Sequence, residues 1–392
     1  MNSVLGTKDC YGCGVCAASC KRNAIHMNLN SSGFYEPVVD EEKCVHCNMC
    51  DIVCSFRTEN VEQDSSFEVK FYAGWSRNNE VRKVCSSGGV GFEIARFLLS
   101  KNYCAILCRY NLQEKRVEHY LAKTEDELKA SIGSKYIQSD TSRGFAQLRK
   151  DSKYLVVGTP CQIDSMRRWV KKLQMDDDVF LVDFFCHGVP SMLMWEKYLS
   201  EVEKENEGIK HVSWRDKKTG WHDSWVMNIG DHYTSRFSQG DLFYRMYLKN
   251  RCLSKPCYEK CKFKVLKSAA DIRIGDLWGS KYADNEEGVN GVVALTKVGS
   301  VLLKEMESDL HLEPSTEMIV CESQMKRSAR RPVSYGYVMR SIHSGKTLRN
   351  IDKVATLIEQ VENVPRSFKY YASRLPVKMK ELLQGIAEKM KS

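Results

Sequence analysis

Cysteines occupy positions 10, 13, 16 and 20, and again 44, 47, 50 and 54, so the spacing Cys-x2-Cys-x2-Cys-x3-Cys appears twice in 45 residues. Three thiolates on a tight loop can cap three irons of a cubane, and a thiolate from the opposite half of a small fold reaches the last iron. The spacing predicts two [4Fe-4S] clusters with exchanged fourth ligands: Cys10, Cys13, Cys16 and Cys54 for one, and Cys44, Cys47, Cys50 and Cys20 for the other. Zinc is the competing reading, but its sites usually pair two Cys-x2-Cys units across a longer loop. Lys21 and Ser55 stand where a proline often follows the last cysteine, a change that removes no ligand. Clusters move electrons singly and do no organic chemistry themselves, so a further group must accept what they deliver.

More sulfur lies downstream. "YLVVGTPCQIDSMRRWV" reads as strand, loop and helix with Cys161 in the loop, and "VFLVDFFCHGVPSMLMWEKYL" repeats the plan with Cys186. In open α/β sheets ligands gather beyond the carboxyl ends of strands, where both cysteines fall. "NRCLSKPCYEKCKF" adds Cys252, Cys257 and Cys261; Lys264 takes the place of the last cysteine that a radical S-adenosylmethionine site requires. Two thiols of this loop with Cys161 and Cys186 would complete a third four-thiolate site, with zinc a rival and plain buried cysteines the alternative. Cys85, Cys104, Cys108 and Cys321 read as packing residues.

These residues need two kinds of scaffold. Residues 1–60 read as an α+β ferredoxin-like dicluster module, in which "AIHMNLNSSGFYEPVVD" forms two short strands around a Ser-Ser-Gly turn. A polar link over 58–66 leads to an α/β body whose two parts span 67–180 and 181–345, followed by a helical tail over 346–392. In that tail "VKMKELLQGIAEKMK" predicts a basic amphipathic helix that packs on the body. "CSSGGV" places Ser86, Ser87, Gly88 and Gly89 at the start of an apolar-striped helix, where free N–H groups favour a phosphate, although ordinary capping uses the same residues.

Composition sets the remaining bounds. The 392 residues are 43% hydrophobic and 28% charged, which is ordinary for a globular chain. No apolar run approaches the roughly 18 residues of a membrane span, and the first residues lack a basic-then-apolar leader. A soluble cytoplasmic protein is expected, and 17 cysteines in a reducing compartment argue for metal or redox use over disulfides. Residues 1–60 hold five Lys/Arg and seven Asp/Glu, so a chain of net charge +9 carries +11 in its remainder. Each four-thiolate cluster would add about −2, leaving an acidic module beside a basic body. No recognition motif accompanies the positive charge, so a flavin diphosphate or another acidic ligand is expected before nucleic acid.

The segments "CSSGGV", "GSKYIQSD", "VGTPCQI", "DFFCHGVPS", "WRDKKTGW", "KPCYEKCKF" and "DIRIGDLWG", in that order over roughly 70–300, resemble the coenzyme F-420 hydrogenase/dehydrogenase beta-subunit family in its form with an N-terminal ferredoxin domain. The resemblance implies a flavoprotein with FAD beside a [4Fe-4S] cluster, exchanging electrons between iron–sulfur centres and a two-electron acceptor. It implies FAD contacts at Ser86, Ser87, Gly88, Gly89, Ser134, Lys135, Tyr136, Gln138 and Ser139, with Thr159, Pro160 and Gln162 beside the flavin. Relatives commonly carry Cys-x2-Cys where this chain has Cys257-x3-Cys261, so the body ligands are expected to be Cys161, Cys186, Cys257 and Cys261, with Cys252 a possible substitute.

A flavin takes electrons singly and passes them on in pairs, which completes the path from a reduced ferredoxin or other carrier, through the clusters, to an organic substrate. The alternatives are an electron-relay subunit of a larger redox complex and a deazaflavin-linked dehydrogenase. His187 is a candidate proton donor, or else a residue that holds its loop. Arg215, Lys217 and Trp221 would contact an anionic or planar substrate, or form a solvated turn around one anchoring tryptophan; Asp276 is read as a turn residue. Residues 323–350 carry seven Lys/Arg and no acid, a solvated face or a docking surface for an acidic electron carrier.

Overall fold

The computed structural model describes residues 4, 6–203, 209, 211–231, 233–322 and 324–362; the tail helix expected over 377–391 lies outside them. Two features dominate: a small cysteine-rich ribbon and a wide mixed sheet against which it docks. The ribbon pairs β1 (Ile25–Leu29) with β2 (Tyr35–Val39) in antiparallel register, with single helical turns at Val15–Ala18 and Met49–Ile52.

The body contributes β3 (Lys70–Ser76), β4 (Tyr103–Asn111), β5 (Arg116–Ala122), β6 (Ser139–Asp140), β7 (Lys153–Gly158) and β8 (Val179–Phe184). A separate three-stranded antiparallel sheet follows, of β9 (Val212–Ser213), β10 (Val226–Ile229) and β11 (Tyr233–Arg236). The chain then returns with β12 (Ile272–Asp276), β13 (Asn290–Ala294) and β14 (Leu310–Pro314), giving a nine-stranded sheet ordered β14-β3-β13-β12-β8-β7-β4-β5-β6. Strands from both expected parts of the body share this sheet. At its centre β12, β8, β7 and β4 run parallel. A parallel interior is covered on both faces, which is why β7 and β8 read as nearly unbroken apolar runs. It also sends the carboxyl ends of β7, β8 and β12 to one edge, and with them Cys161, Cys186 and Asp276.

The module is too small to bury a core alone, and it borrows one. Val15 and Val53 are fully buried and share a hydrophobic cluster with Phe145, Ile163 and Met166 of the body. Polar staples fix its register. Gln138 Nε2 donates to Tyr11 O at 3.2 Å while its Oε1 accepts from Tyr35 N–H at 3.1 Å. Thr141 Oγ1 donates to Cys13 O, and Ser191 Oγ to Ser32 O. Lys262 Nζ gathers the carbonyls of Ser55, Thr58 and Asn60 at 2.8, 2.9 and 3.0 Å, pinning the exit of the module to the body. Gln138→Leu leaves the buried Tyr35 N–H without a partner and is expected to cost about 1–3 kcal/mol. The effect is read as a lower urea midpoint at unchanged slope; an unmoved midpoint would remove Gln138 from the docking account.

Candidate redox site

Two cavities sort the eight N-terminal cysteines. One is lined by Cys10, Cys13, Cys16 and Cys54 together with Tyr11, Met27 and Phe56. The other is lined by Cys20, Cys44, Cys47 and Cys50 with Ile25, Val39 and Val45. Each therefore takes three thiols from one run and the fourth from the other. Gly12, at φ +63, lets the first loop turn back so that its own N–H donates to Cys10 Sγ at 3.3 Å; Ala24 N–H does the same for Cys20 Sγ at 3.4 Å. Burial, then neighbouring thiols, push Cys10 up to about 12, and burial with Cys54 takes Cys13 to about 11. Such thiols ionise only against a strong positive partner, as cluster iron supplies. Among the described residues no group of three or more His, Cys, Asp or Glu is arranged for a single metal ion.

The two cavities differ in access. The first faces the body, whereas at the second Cys47 is exposed and Val45 is 59% exposed. We call them the inner and outer cavities.

Behind the inner cavity the body thiols converge. Cys186, Cys13 and Cys257 all oppose ionisation of Cys161; Cys261 acts on Cys186, and both Cys186 and Cys261 act on Cys257. Burial is the larger cause in each case and takes Cys257 up to about 12. Gly188, at φ +144, allows the turn after Cys186 to approach Cys257, since a Cβ there would lie 3.3 Å from Cys257 Cβ. Cys252 is fully buried: burial raises its pKa to about 12, and the charge that acts on it is that of Arg251 rather than another thiol. Tyr11 sits between the two groups. Its OH donates to Lys260 O at 2.5 Å, its ring meets Phe56 and Phe263 edge-on, and Cys161, Cys261 and Cys257 all raise its pKa, after burial.

The residues expected to hold FAD divide into three sets. Ser86, Ser87, Ser134 and Tyr136 meet at the start of the Val90–Ser100 helix: Ser134 N–H donates to Ser86 Oγ at 2.8 Å, and Arg215 donates to Ser86 O at 3.1 Å and Tyr136 OH at 3.1 Å. Lys217 Nζ donates to Ser87 O at 2.9 Å, and burial lowers its pKa to about 8. Thr159, Pro160, Gln162 and Ser139 surround Cys161: Thr159 Oγ1 lies 3.2 Å from Cys161 Sγ, Gln162 Oε1 accepts Thr159 N–H, and Gln162 Nε2 donates to Ser139 Oγ. The third set points elsewhere. Gln138 holds the module, and Lys135 Nζ caps its own loop through the carbonyls of Ala130, Ser131, Ile132 and Gly133. Gly88 is small because protein crowds it, since a Cβ there would lie 2.5 Å from Gly74 O and 2.9 Å from Asn290 Oδ1, and Gly89 takes a φ of +85.

Arg215 is a buried hub and not part of a solvated turn. It also pairs with Asp276 Oδ2 at 3.0 Å and lies over Trp225 and Trp278, while Trp221 stacks on Trp278 at 4.3 Å. Among the described residues Asp276 Oδ1 is buried with no hydrogen-bond partner. The His187 ring meets Tyr247 edge-on at 5.2 Å, and burial lowers its pKa, which suits a ring that holds its loop. In the basic stretch, Arg331 pairs with Glu259 at 2.7 Å, and Ser328 donates to Cys261 O at 3.5 Å, so part of that surface lies beside the body thiols. Sequence reasoning passed over Ser165, whose Oγ accepts from Cys13 Sγ at 3.3 Å and from Ser55 N–H at 3.1 Å. Its position one turn beyond Cys161 was the available signal.

A module with two four-cysteine cavities, docked where body thiols meet the carboxyl edge of a parallel sheet, defines an electron-transfer protein. Residues 9–58 match the model of the 4Fe-4S dicluster domain, residues 71–144 that of the coenzyme F420 hydrogenase/dehydrogenase beta subunit N-terminus, and residues 151–318 that of its C-terminus. The chain belongs to the coenzyme F420 hydrogenase/dehydrogenase beta-subunit family, with an iron–sulfur dicluster domain ahead of the family's two conserved parts. Among solved structures it is similar, at 16% identity and a TM-score of 0.45, to a chain of the F420-reducing [NiFe] hydrogenase complex from Methanosarcina barkeri. The match covers 76% of this chain and 93% of that one. No curated protein matches it. No helix among the described residues is long and apolar enough to cross a membrane.

Proposed function

We propose that the chain is an iron–sulfur flavoprotein oxidoreductase. Electrons from a ferredoxin-type carrier arrive at the outer four-cysteine site, move to the inner one, cross to the Cys161, Cys186, Cys257 and Cys261 site, and leave through FAD to an organic two-electron acceptor. The observation that carries this reading is the Pro160–Leu173 helix: Cys161 in its first turn belongs to the body thiols, and Ser165 in the next touches Cys13 of the inner cavity. A shared helical face holds the two sites in fixed relation, as single-electron transfer requires.

Each set of four clustered thiols fits an iron–sulfur cluster by donor chemistry. For FAD the fit rests on charge: Arg215 and Lys217 stand at the N-terminus of an 11-residue helix, where positive field favours a diphosphate. When bound, FAD would supply the conversion between one-electron and two-electron transfer. The chain's own residues orient and enclose it: Ser86 and Ser134 join the two loops, Tyr136 is clamped between Arg215 and Trp225, and Thr159 stands beside Cys161.

One observation favours the relay-subunit alternative about as well. Lys135 and Gln138, both expected at the flavin, are committed to protein partners. Anaerobically purified protein, reduced by an artificial donor and offered two-electron acceptors, separates the readings. Flavin loading with turnover supports the enzyme, loading without turnover supports the relay, and bleaching of the deazaflavin coenzyme supports the third alternative.

A further inference from the structure

The inner cavity carries a contact that the outer one lacks. Ser165 is fully buried, and its Oγ lies 3.3 Å from Cys13 Sγ and 3.1 Å from Ser55 N. A serine hydroxyl has one proton and two acceptor sites. The Ser55 N–H fills one acceptor site permanently, because it is a backbone donor. With Cys13 as a free thiol, the S–H donates to the oxygen. With Cys13 as an iron-bound thiolate, the sulfur can only accept, and the hydroxyl proton turns toward it.

At the outer cavity the comparable side chain is His46, whose Nδ1 lies 4.0 Å from Cys44 Sγ on an exposed loop. That separation and its solvent screening leave little effect on the sulfur. Each site has a backbone N–H on one of its sulfurs, from Gly12 to Cys10 and from Ala24 to Cys20, at 3.3 and 3.4 Å. Among the described residues, the side-chain hydrogen bond that sets the inner site apart is the buried Ser165 hydroxyl. A hydrogen bond to a ligating sulfur stabilises the more negative, reduced cluster and raises its potential, and burial strengthens the bond.

We infer that Ser165 is a positioning residue that raises the potential of the inner ferredoxin cluster, which favours passage of electrons from the exposed outer site inward toward Cys161. The inference rests on the cluster assignments proposed above. Its location serves the direction of flow: Ser55, which donates its N–H to Ser165, also donates its side-chain hydroxyl to Cys161 O at 3.3 Å, so three hydrogen bonds span the crossing.

The test is a redox titration of the full-length, anaerobically purified protein, followed by electron paramagnetic resonance, for wild type, Ser165→Ala, Ser165→Thr and Thr141→Val. Thr141 also bonds the module, but through Cys13 O rather than the sulfur. The expected result is a negative shift of one ferredoxin midpoint in Ser165→Ala, with the other midpoints and the iron content unchanged. Ser165→Thr should restore the wild-type value, and Thr141→Val should leave it in place. If Ser165→Ala does not retain iron, Ser165→Cys replaces it, whose weaker S–H donor should shift the same midpoint in the same direction. Unmoved midpoints in an iron-replete variant, or equal shifts in Ser165→Ala and Thr141→Val, would overturn the inference while leaving the clusters in place. Wild-type protein without cluster signals would overturn the parent assignment, and this one with it.

Discussion

Replacing Arg273 with alanine is expected to destabilise the body by about 3–5 kcal/mol, the usual consequence of stripping one partner from a buried ion pair. Arg273 and Asp183 are both completely buried, joined by Nε to Oδ1 at 2.7 Å and Nη2 to Oδ2 at 2.6 Å. The guanidinium also donates to the carbonyls of Phe263, Val265 and Lys267. Asp183 lies in β8 three residues before Cys186, and the three carbonyls belong to the loop that follows Cys261. One side chain therefore fixes two of the four body thiols. Lysine cannot substitute, because a point charge does not reproduce the fork that spans a carboxylate and three carbonyls. Urea denaturation should show the loss, and iron counts should fall by about four while the module keeps its own. A change below about 1 kcal/mol, typical of surface substitutions, would mean that the pair is not load-sharing as described.

The second large effect concerns the choice among the three cysteines of the 252–261 loop. Cys257→Ser is expected to lower iron from about twelve to about eight per chain, given four irons per cluster, and to reduce electron delivery to the acceptor to background. Cys252→Ser should leave iron unchanged, because burial and Arg251, rather than another thiol, set the ionisation of that core-packed sulfur. Equal iron loss in both variants would place Cys252 among the ligands.

Local signals were read well where the residue's role is decided by spacing or by burial of a whole strand. The two cysteine runs predict the membership of the two cavities because three close thiols must share one loop and the fourth must cross over. β7 and β8 were legible because strands covered on both faces have no polar side to alternate with. Cys161 and Cys186 followed, since residues two or three beyond the end of such a strand lie at the sheet edge.

The destinations of long polar side chains were not legible. Gln138 and Lys135 sit in the same short motif as Tyr136, yet one reaches back to the module, one caps its own loop, and one faces Arg215. Those outcomes depend on which surface lies opposite, which is tertiary information. Arg215 shows the same limit: in a run of charged residues it resembles a solvated turn, while in the structure it links Ser86, Tyr136 and Asp276. The glycines at 88 and 89 match a phosphate loop in composition, but close approach of Gly74 and Asn290 accounts for Gly88, and its own positive φ of +85 for Gly89.

The central claim is that two ferredoxin clusters and one body cluster feed a single flavin. Counting iron, acid-labile sulfide and flavin per chain in anaerobically purified, full-length protein tests it most directly. The account predicts about twelve irons, about twelve sulfides and one FAD. Zinc in place of iron, or about eight irons with no flavin, would contradict it.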